Sequence, residues 1–324
     1  MNRLRIVFMG TPEFAVATLG ALVMNGFNVV GVVTVPDKPA GRGRKISKSS
    51  VKIYAESLCL PLMQPESLRD TEFISQLRAL EPDLFIVVAF RMLPEVIWKL
   101  PLLGTINLHA SLLPNYRGAA PINHAIINGE KVTGVTTFFI DEKIDTGSIL
   151  IREKIKISST ENAGDIHDKL MKLGARIVVR TITEIAQNRI VAQPQDNLLK
   201  QGESPKQAPK IHPDFCIIDW NKDATNLSNF IRGLSPYPSA RTFLKNDKKT
   251  VSLKVFEGDP ENENHNLTPG QIISDGKHFI KVACKNGFIN ITSLQQEGKT
   301  RMNTIEFLRG FRIEDYPSAV SQPV

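Results

Sequence analysis

Five short apolar runs near the start of the chain constrain its fold more than any other feature. LRIVFMG (4–10), NVVGVVTV (28–35), DLFIVVAF (83–90), TINLHA (105–110) and GVTTFFID (134–141) are apolar on both faces, as parallel strands buried on both sides are. Helix-like stretches at 12–25, 48–59, 71–80 and 120–129 separate them. Strands alternating with helices predict a doubly wound, mostly parallel Rossmann-like α/β sheet, whose ligands sit at the carboxyl ends of the strands. A helical pattern at 162–188 closes this region, and the polar stretch that follows reads as a linker. After a helix at 223–234, the runs TVSLKVFEG, GQIISDG, HFIKVAC and GFINITSLQQ are separated by turn residues and predict a small β-barrel or sheet. EGDPENENHN (257–266) reads as an exposed loop. The expected domains are 1–190 and 209–324, joined by a linker over 191–208.

At 324 residues and 42% hydrophobic content the chain is longer than one average domain, which agrees with that division. MNRLRIVFMGTPEF has one apolar run, too short for a membrane span and without a small-residue cleavage pattern, so a cytoplasmic protein with no membrane partner is expected. Nothing in the pattern demands an oligomer, and a monomer is expected. Cys59, Cys216 and Cys284 are scattered among apolar neighbours; they suggest buried thiols and neither a disulfide framework nor a metal site. In FMGTPEFAVATL, Gly10 follows the first strand but the other two glycines of a dinucleotide fingerprint are missing, which excludes a nicotinamide cofactor; Thr11 is expected to cap the helix that begins at Pro12. The net charge of +7 is concentrated in KPAGRGRKISKSSVK (38–52), where Lys38, Arg42, Arg44, Lys45, Lys48 and Lys52 occur without one acidic residue. Such a Gly- and Pro-containing segment reads as a mobile loop that meets phosphates.

TINLHASLLPNYRGAAPI (105–122) puts Asn107 and His109 two positions apart on a strand, so their side chains share a face. Alone, this would be a half-exposed strand with a solvated Asn and a core-edge His. FFIDEKIDTGSIL (138–150) adds Asp145 in a turn directly after another strand, from which a carboxylate can fold back toward His109. An Asn, a His and an Asp at one sheet edge, with no Ser or Cys placed as a nucleophile, suggest acyl transfer in which the substrate brings its own nucleophile.

NLHASLLPNYRGAAPI together with FFIDEKIDTG resembles the signature of the folate-dependent formyltransferases, the group that includes glycinamide ribonucleotide transformylase. MGTPEFAVATL (9–19), VPDKPAGRGRK (35–45), LPLMQPESL (60–68), APKI (208–211) and IDWNKDATNLSNFIRGLSPYPSA (218–240) resemble, in order, the members that formylate methionine carried on initiator tRNA. The likeness spans nearly the whole chain. It implies that the tail is an oligonucleotide-binding-type (OB) barrel and that the co-substrate is 10-formyltetrahydrofolate, with no metal. It further implies that Asn107, His109 and Asp145 are catalytic. Asn107 and the His109 imidazolium would donate hydrogen bonds to the formyl oxygen. Asp145 would hold His109 in orientation and favour its protonated form, and a water near Asp145 could take the proton of the attacking amine. Ser111, Leu112, Leu113 and Pro114 would line a slot for the pterin ring, with Arg91 and Met92 of AFRMLP completing it where many members carry Tyr-Gly in place of Phe90-Arg91. Lys38, Arg42, Arg44 and Lys45 would meet the acceptor end of the tRNA, Arg42 foremost, and tail lysines such as Lys248 and Lys249 its backbone. Arg117 fits either substrate contact or loop geometry. A formyltransferase acting on a nucleotide-linked amino sugar, or a 10-formyltetrahydrofolate hydrolase, would keep the same three catalytic residues; the basic loop and the tail favour tRNA. A non-enzymatic RNA-binding protein would need a dead catalytic set, and all three residues are intact.

Overall fold

The computed structural model describes residues 4–40, 45–199 and 202–322. They form two compact units: one from residues up to Gly118, Thr133–Ile155 and His167–Gln207, the other from Ala119–Val132, Lys156–Ile166 and the residues from Ala208 onward.

The first unit is built on a seven-stranded sheet. In chain order its elements are β1 (Arg5–Gly10), α1 (Glu13–Met24), β2 (Asn28–Val33), a hairpin of β3 (Lys38–Ala40) and β4 (Lys45–Ser47), α2 (Ser50–Ser57), β5 (Leu62–Met63), α3 (Thr71–Ala79), β6 (Leu84–Val88), α4 (Glu95–Trp98) and β7 (Thr105–His109). After the helix α5 (Pro121–Ile127) come β8 (Val132–Phe139), β9 (Ile149–Lys156) and α6 (Ala163–Ala186). The sheet order is β5-β2-β1-β6-β7-β8-β9. From β1 to β5 the chain winds one way and then returns to the other side of β1, so the winding reverses between β1 and β6. That reversal leaves a crevice at the carboxyl ends of those strands, where Gly10 pairs with Val88.

Pairings among β5, β2, β1, β6 and β7 are parallel. The fifth apolar run departs from expectation: β8 lies antiparallel to β7, with Ile106 opposite Phe139 and His109 opposite Thr136. Residues 133–138 are buried on both faces all the same, and a doubly buried strand reads alike in either direction. Val7, Met9, Leu77, Phe85, Val87 and Ile97 pack as one core on a face of this sheet. Local capping sets the helix starts: Ser49 accepts from the Lys52 amide at 3.0 Å and Asp70 from the Glu72 amide at 3.0 Å. Thr11 does not cap α1; the cap position falls on Pro12, and the Thr11 carbonyl accepts from the Val51 amide instead. Residues expected as a linker carry backbone pairing, with Gln193 bridged to Ile149 and a 3-10 turn at Gln195–Leu198.

In the second unit, α7 (Ala224–Leu234) precedes β10 (Ala240–Lys245), β11 (Thr250–Glu261), β12 (Ile272–Ser274), β13 (Ile280–Cys284), β14 (Gly287–Gln296), β15 (Met302–Asn303), α8 (Thr304–Gly310) and β16 (Ser318–Val320). The order β12-β13-β14-β11-β10-β16 is antiparallel throughout, and its two edges meet through Ile272 N–H to the Pro317 carbonyl at 2.9 Å and Ala319 N–H to the Gly270 carbonyl at 2.7 Å. A sheet whose edges pair is a barrel and exposes no long edge. Residues 257–261, read as loop from their acidic and Gly-Pro composition, extend β11 and pair with β14 as far as Glu261 opposite Phe288; irregular register between Val255 and Gly258 absorbs them. Cys216 and Cys284 are buried, and burial pushes both thiols up. Cys59 is exposed, contrary to expectation, because it sits in the turn leaving α2 at φ +52°. Among the described residues no helix is long and apolar enough to cross a membrane.

Phe85 is fully buried in the first-unit core. Phe85→Ala is expected to destabilise that unit by about 3–5 kcal/mol through lost burial and the cavity left behind. Urea denaturation compared with the parent chain checks this; a change below about 1 kcal/mol would mean the core closes over the gap.

Candidate active site

His109 ends β7 and is 6% exposed. Its Nε2 lies 2.8 Å from the Tyr116 backbone carbonyl. A carbonyl can only accept, so Nε2 carries a hydrogen and donates it there, which fixes the ring plane and leaves Nδ1 as the variable nitrogen. Nδ1 faces the Asp145 carboxylate, with Oδ2 at 3.7 Å, an ion pair when the ring is charged and too long for a direct hydrogen bond. Asn107, two residues back on the same strand face, is half-buried, and among the described residues none hydrogen-bonds its side-chain amide.

Antiparallel pairing makes the arrival of Asp145 a question of geometry. β8 ends opposite Ile106, three residues and roughly 10 Å short of His109 along the strand. The turn from β8 to β9 therefore runs back along the sheet. It does so with Asp145 at φ +55°, and with Gly147 packed so closely that a Cβ there would lie 1.7 Å from the Phe139 carbonyl. Asp145 Oδ2 accepts from the Gly118 amide at 2.9 Å, and Gly118 has φ +123°, a conformation for which glycine is suited. Gln195 joins the same turn: its amide nitrogen donates to the carbonyls of Asp145 (2.9 Å) and Gly147 (2.8 Å), and its oxygen accepts from Arg117 Nε (3.1 Å) and Arg117 Nη2 (2.8 Å). The Arg117 guanidinium is thus engaged in loop geometry. Its sequence context did not single out Gln195, a polar residue in a polar stretch with no periodic pattern around it.

Ser111, Leu113 and Pro114 are buried and Leu112 is half-buried. The Thr136 hydroxyl donates to the Ser111 carbonyl at 2.7 Å and accepts from the Leu113 amide at 3.1 Å, while the Ser111 hydroxyl donates to the Asn115 carbonyl at 2.7 Å. Leu113 packs with Phe138 and Ile149, so Leu112 and the backbone are what this segment can offer a ring. After β6, Ala89 turns the chain at φ +47°. Arg91 then donates to the carbonyls of Glu66 at 3.1 Å and Pro65 at 2.9 Å, and partial burial pushes its guanidinium down from its ordinary range. Met92 is 77% exposed.

The basic segment is a hairpin at its base, where a mobile loop was expected: Lys38 pairs with Ser47 and Ala40 with Lys45. Lys38 is exposed; Arg42 and Arg44 lie outside the described residues. Beneath it, Lys52 Nζ reaches Asp37 Oδ2 at 2.6 Å and Gln64 Oε1 at 2.8 Å, and Gln64 returns a bond to Asp37 Oδ1 at 3.0 Å. Lys52 is 12% exposed and Asp37 23%. The Lys52 ammonium, helped by the Gln64 amide, holds the Asp37 carboxyl below the usual carboxylate range. In the barrel unit, Lys249 Nζ lies 5.5 Å from the Tyr316 ring centroid.

Residues 4–182 match the formyl transferase family and residues 210–312 the formyl transferase C-terminal domain. The chain is 53% identical over 313 residues to a methionyl-tRNA formyltransferase of Bacteroides fragilis, covering 96% of each chain. It is 52% identical over 315 residues to a methionyl-tRNA formyltransferase of Flavobacterium johnsoniae, covering 97% of this chain and 98% of that one. In fold it is similar to the N-formyltransferase of Helicobacter canadensis in complex with folinic acid and dTDP-3-aminofucose, with a TM-score of 0.62 at 20% identity over 90% of this chain and 99% of that one.

The Asp37–Lys52 pair carries a pH signature. A carboxyl whose folded pKa is depressed contributes stability that is fully present above its unfolded value, about 4, and is lost as pH falls through the folded value. Asp37→Asn is expected to lower Tm at pH 7, and the gap to the parent chain should shrink as pH falls below about 4. Thermal unfolding across that range measures it; a gap independent of pH would assign the effect to something other than the charge.

Proposed function

The chain belongs to the formyl transferase family, and from that membership we propose that it transfers the formyl group of 10-formyltetrahydrofolate to the α-amino group of methionine esterified to initiator tRNA, for translation initiation in the cytoplasm. The observation that carries this reading is the 53% identity to a methionyl-tRNA formyltransferase over 96% of both chains, with both domain models matched in order. The likeness to an amino-sugar enzyme stands at 20% identity and concerns the fold.

The side chains support a division of labour. The amine attacks the formyl carbon, and negative charge develops on the formyl oxygen. Asn107 offers its unengaged amide to that oxygen. His109 has Nε2–H committed to the Tyr116 carbonyl, so the hydrogen it can give is on Nδ1, when the ring is an imidazolium. Two such donors, aimed in advance, act on the barrier because the charge they meet is absent in the ground state. Asp145 stands beside Nδ1 at 3.7 Å, close enough to pair with the imidazolium and far enough to admit a substrate atom or a water near it. The amine must lose one proton and folate N10 must gain one as its bond to the formyl carbon breaks; a water near Asp145 would take the first, and the His109–Asp145 pair would return one. Lys38, Arg42, Arg44 and Lys45 would meet the tRNA acceptor end, with the Asp37–Lys52–Gln64 bonds as the footing of their hairpin.

Transfer of labelled formyl from 10-formyltetrahydrofolate to methionine charged on initiator tRNA is expected, with less to an elongator tRNA and none without tRNA. Formate release without transfer would favour a hydrolase. Asn107→Ala should lower kcat by about 100- to 1000-fold with KM for folate little changed; an unchanged kcat would remove Asn107 from the oxyanion role. Arg42→Ala should weaken the tRNA reaction far more than folate binding, and equal losses in both would undo its assignment.

A further inference from the structure

Gln195 is 3% exposed, and both polar atoms of its side chain are used twice. Its partners belong to the two segments that flank His109: the Arg117–Gly118 stretch that follows β7, and the β8–β9 turn that carries Asp145. Together with the Gly118 amide on the Asp145 carboxylate, they close a ring. From Gln195 it runs to the Arg117 guanidinium, along one peptide to Gly118, across to the Asp145 carboxylate, and from the Asp145 carbonyl back to the Gln195 amide.

We propose that Gln195 is a positioning residue for formyl transfer, holding the Asp145 carboxylate at His109 Nδ1. The proposal rests on the reading of Asp145 as catalytic. Asp145 sits at φ +55°, where a residue with a Cβ stays only if its surroundings over-determine it. The two bonds from Gln195 grip the carbonyls on either side of Thr146, so they fix the backbone that aims the carboxylate, while Gly118 fixes the carboxylate itself. The job needs two N–H donors and an oxygen with two lone pairs on one side chain of this reach. Glutamate would set an oxygen against two carbonyls; methionine fills much the same space without an N–H donor or a carbonyl oxygen and would leave both carbonyls and the Arg117 guanidinium without these partners.

A residue that merely satisfied buried polar groups would cost stability when removed but would not act through Asp145. Three variants of the full-length chain separate the two roles: Gln195→Met, Asp145→Asn and the double, each with kcat, KM for folate and charged tRNA, and Tm. Gln195→Met is expected to lower kcat about 10- to 100-fold, as an ångström-scale misplacement of a reacting group does, with both KM values held within about threefold because it touches neither substrate. The double variant should match Asp145→Asn within about twofold, since a carboxylate that is gone cannot be misplaced. Losses that multiply in the double variant, or a Gln195→Met enzyme with the parent kcat, would overturn the proposal. An Asp145→Asn enzyme with the parent kcat would instead overturn the reading on which the proposal rests. Should Gln195→Met fail to fold, Gln195→Glu keeps the acceptor for Arg117 and replaces the donors to the Asp145 turn with an oxygen set against its two carbonyls; the same non-multiplying loss is expected of it, and a parent-like kcat would count against the proposal in the same way.

Discussion

The hydrogen bond from His109 Nε2 to the Tyr116 carbonyl sets the terms for the rest of the site. By committing one ring nitrogen to the backbone it leaves Nδ1 facing the Asp145 carboxylate and, in the proposed reaction, makes it the nitrogen that would meet substrate. Tyr116 can present that carbonyl because its own backbone is at φ +64° and its amide is tied to the Lys206 carbonyl at 2.6 Å. The residue that orients the histidine is therefore itself held by chain almost a hundred positions away. Asn107 needs no such device, because strand alternation alone puts it on the His109 face.

Two kinds of precision meet here. Asn107 and His109 inherit theirs from β7, a strand flanked on both sides and buried in its apolar positions. Asp145 comes from a turn that must travel back against the direction of its own strand, and irregular backbone has no ladder to hold it. The Gly118 amide, the Gln195 side chain and the tight seat of Gly147 on the Phe139 carbonyl take the place of a ladder. The cost of φ +55° at Asp145, roughly 1–3 kcal/mol for such conformations, is offset by the part-buried Gly118 and Gln195 bonds to Asp145 and the buried Gln195 bond to Gly147.

What the sequence discloses divides along the same line. Periodicity is local, so β1, β2, β6 and β7 and most of the helices could be read from short windows. The shared face of Asn107 and His109 followed from spacing two alone; a meeting of Asp145 with His109 was expected from its place after a strand, but because β8 is antiparallel it is the backward-running turn, not the strand end, that brings the two together. Direction is not local: nothing within GVTTFFID distinguishes an antiparallel β8 from a parallel one, since both bury the same side chains. Composition misled where strand pairing overrode it, as at 257–261, whose acidic and Gly-Pro character suited a loop but whose backbone groups are paired with β14. Gln195 and the Tyr116 carbonyl were invisible for a further reason. Their roles lie in backbone-directed bonds to residues 50 and 7 positions away, and such bonds leave no residue-type signature.

This division also accounts for how one fold can serve different acceptors. The likeness of fold to the Helicobacter canadensis N-formyltransferase stands at 20% identity, whereas the likeness over the whole chain to methionyl-tRNA formyltransferases is above 50%. In the proposed reaction a strand that aims two donors at one oxygen would be indifferent to what carries the attacking amine, because the developing charge is the same for any amine. Acceptor choice must then come from groups outside that strand. The hairpin between β2 and α2 is the proposed place for it, since Asp37, Lys52 and Gln64 tie its base together and Lys38 there is exposed. On this proposal, chemistry anchored in a strand and choice anchored in a hairpin would be able to change independently, provided that the turn carrying Asp145 stays closed on His109.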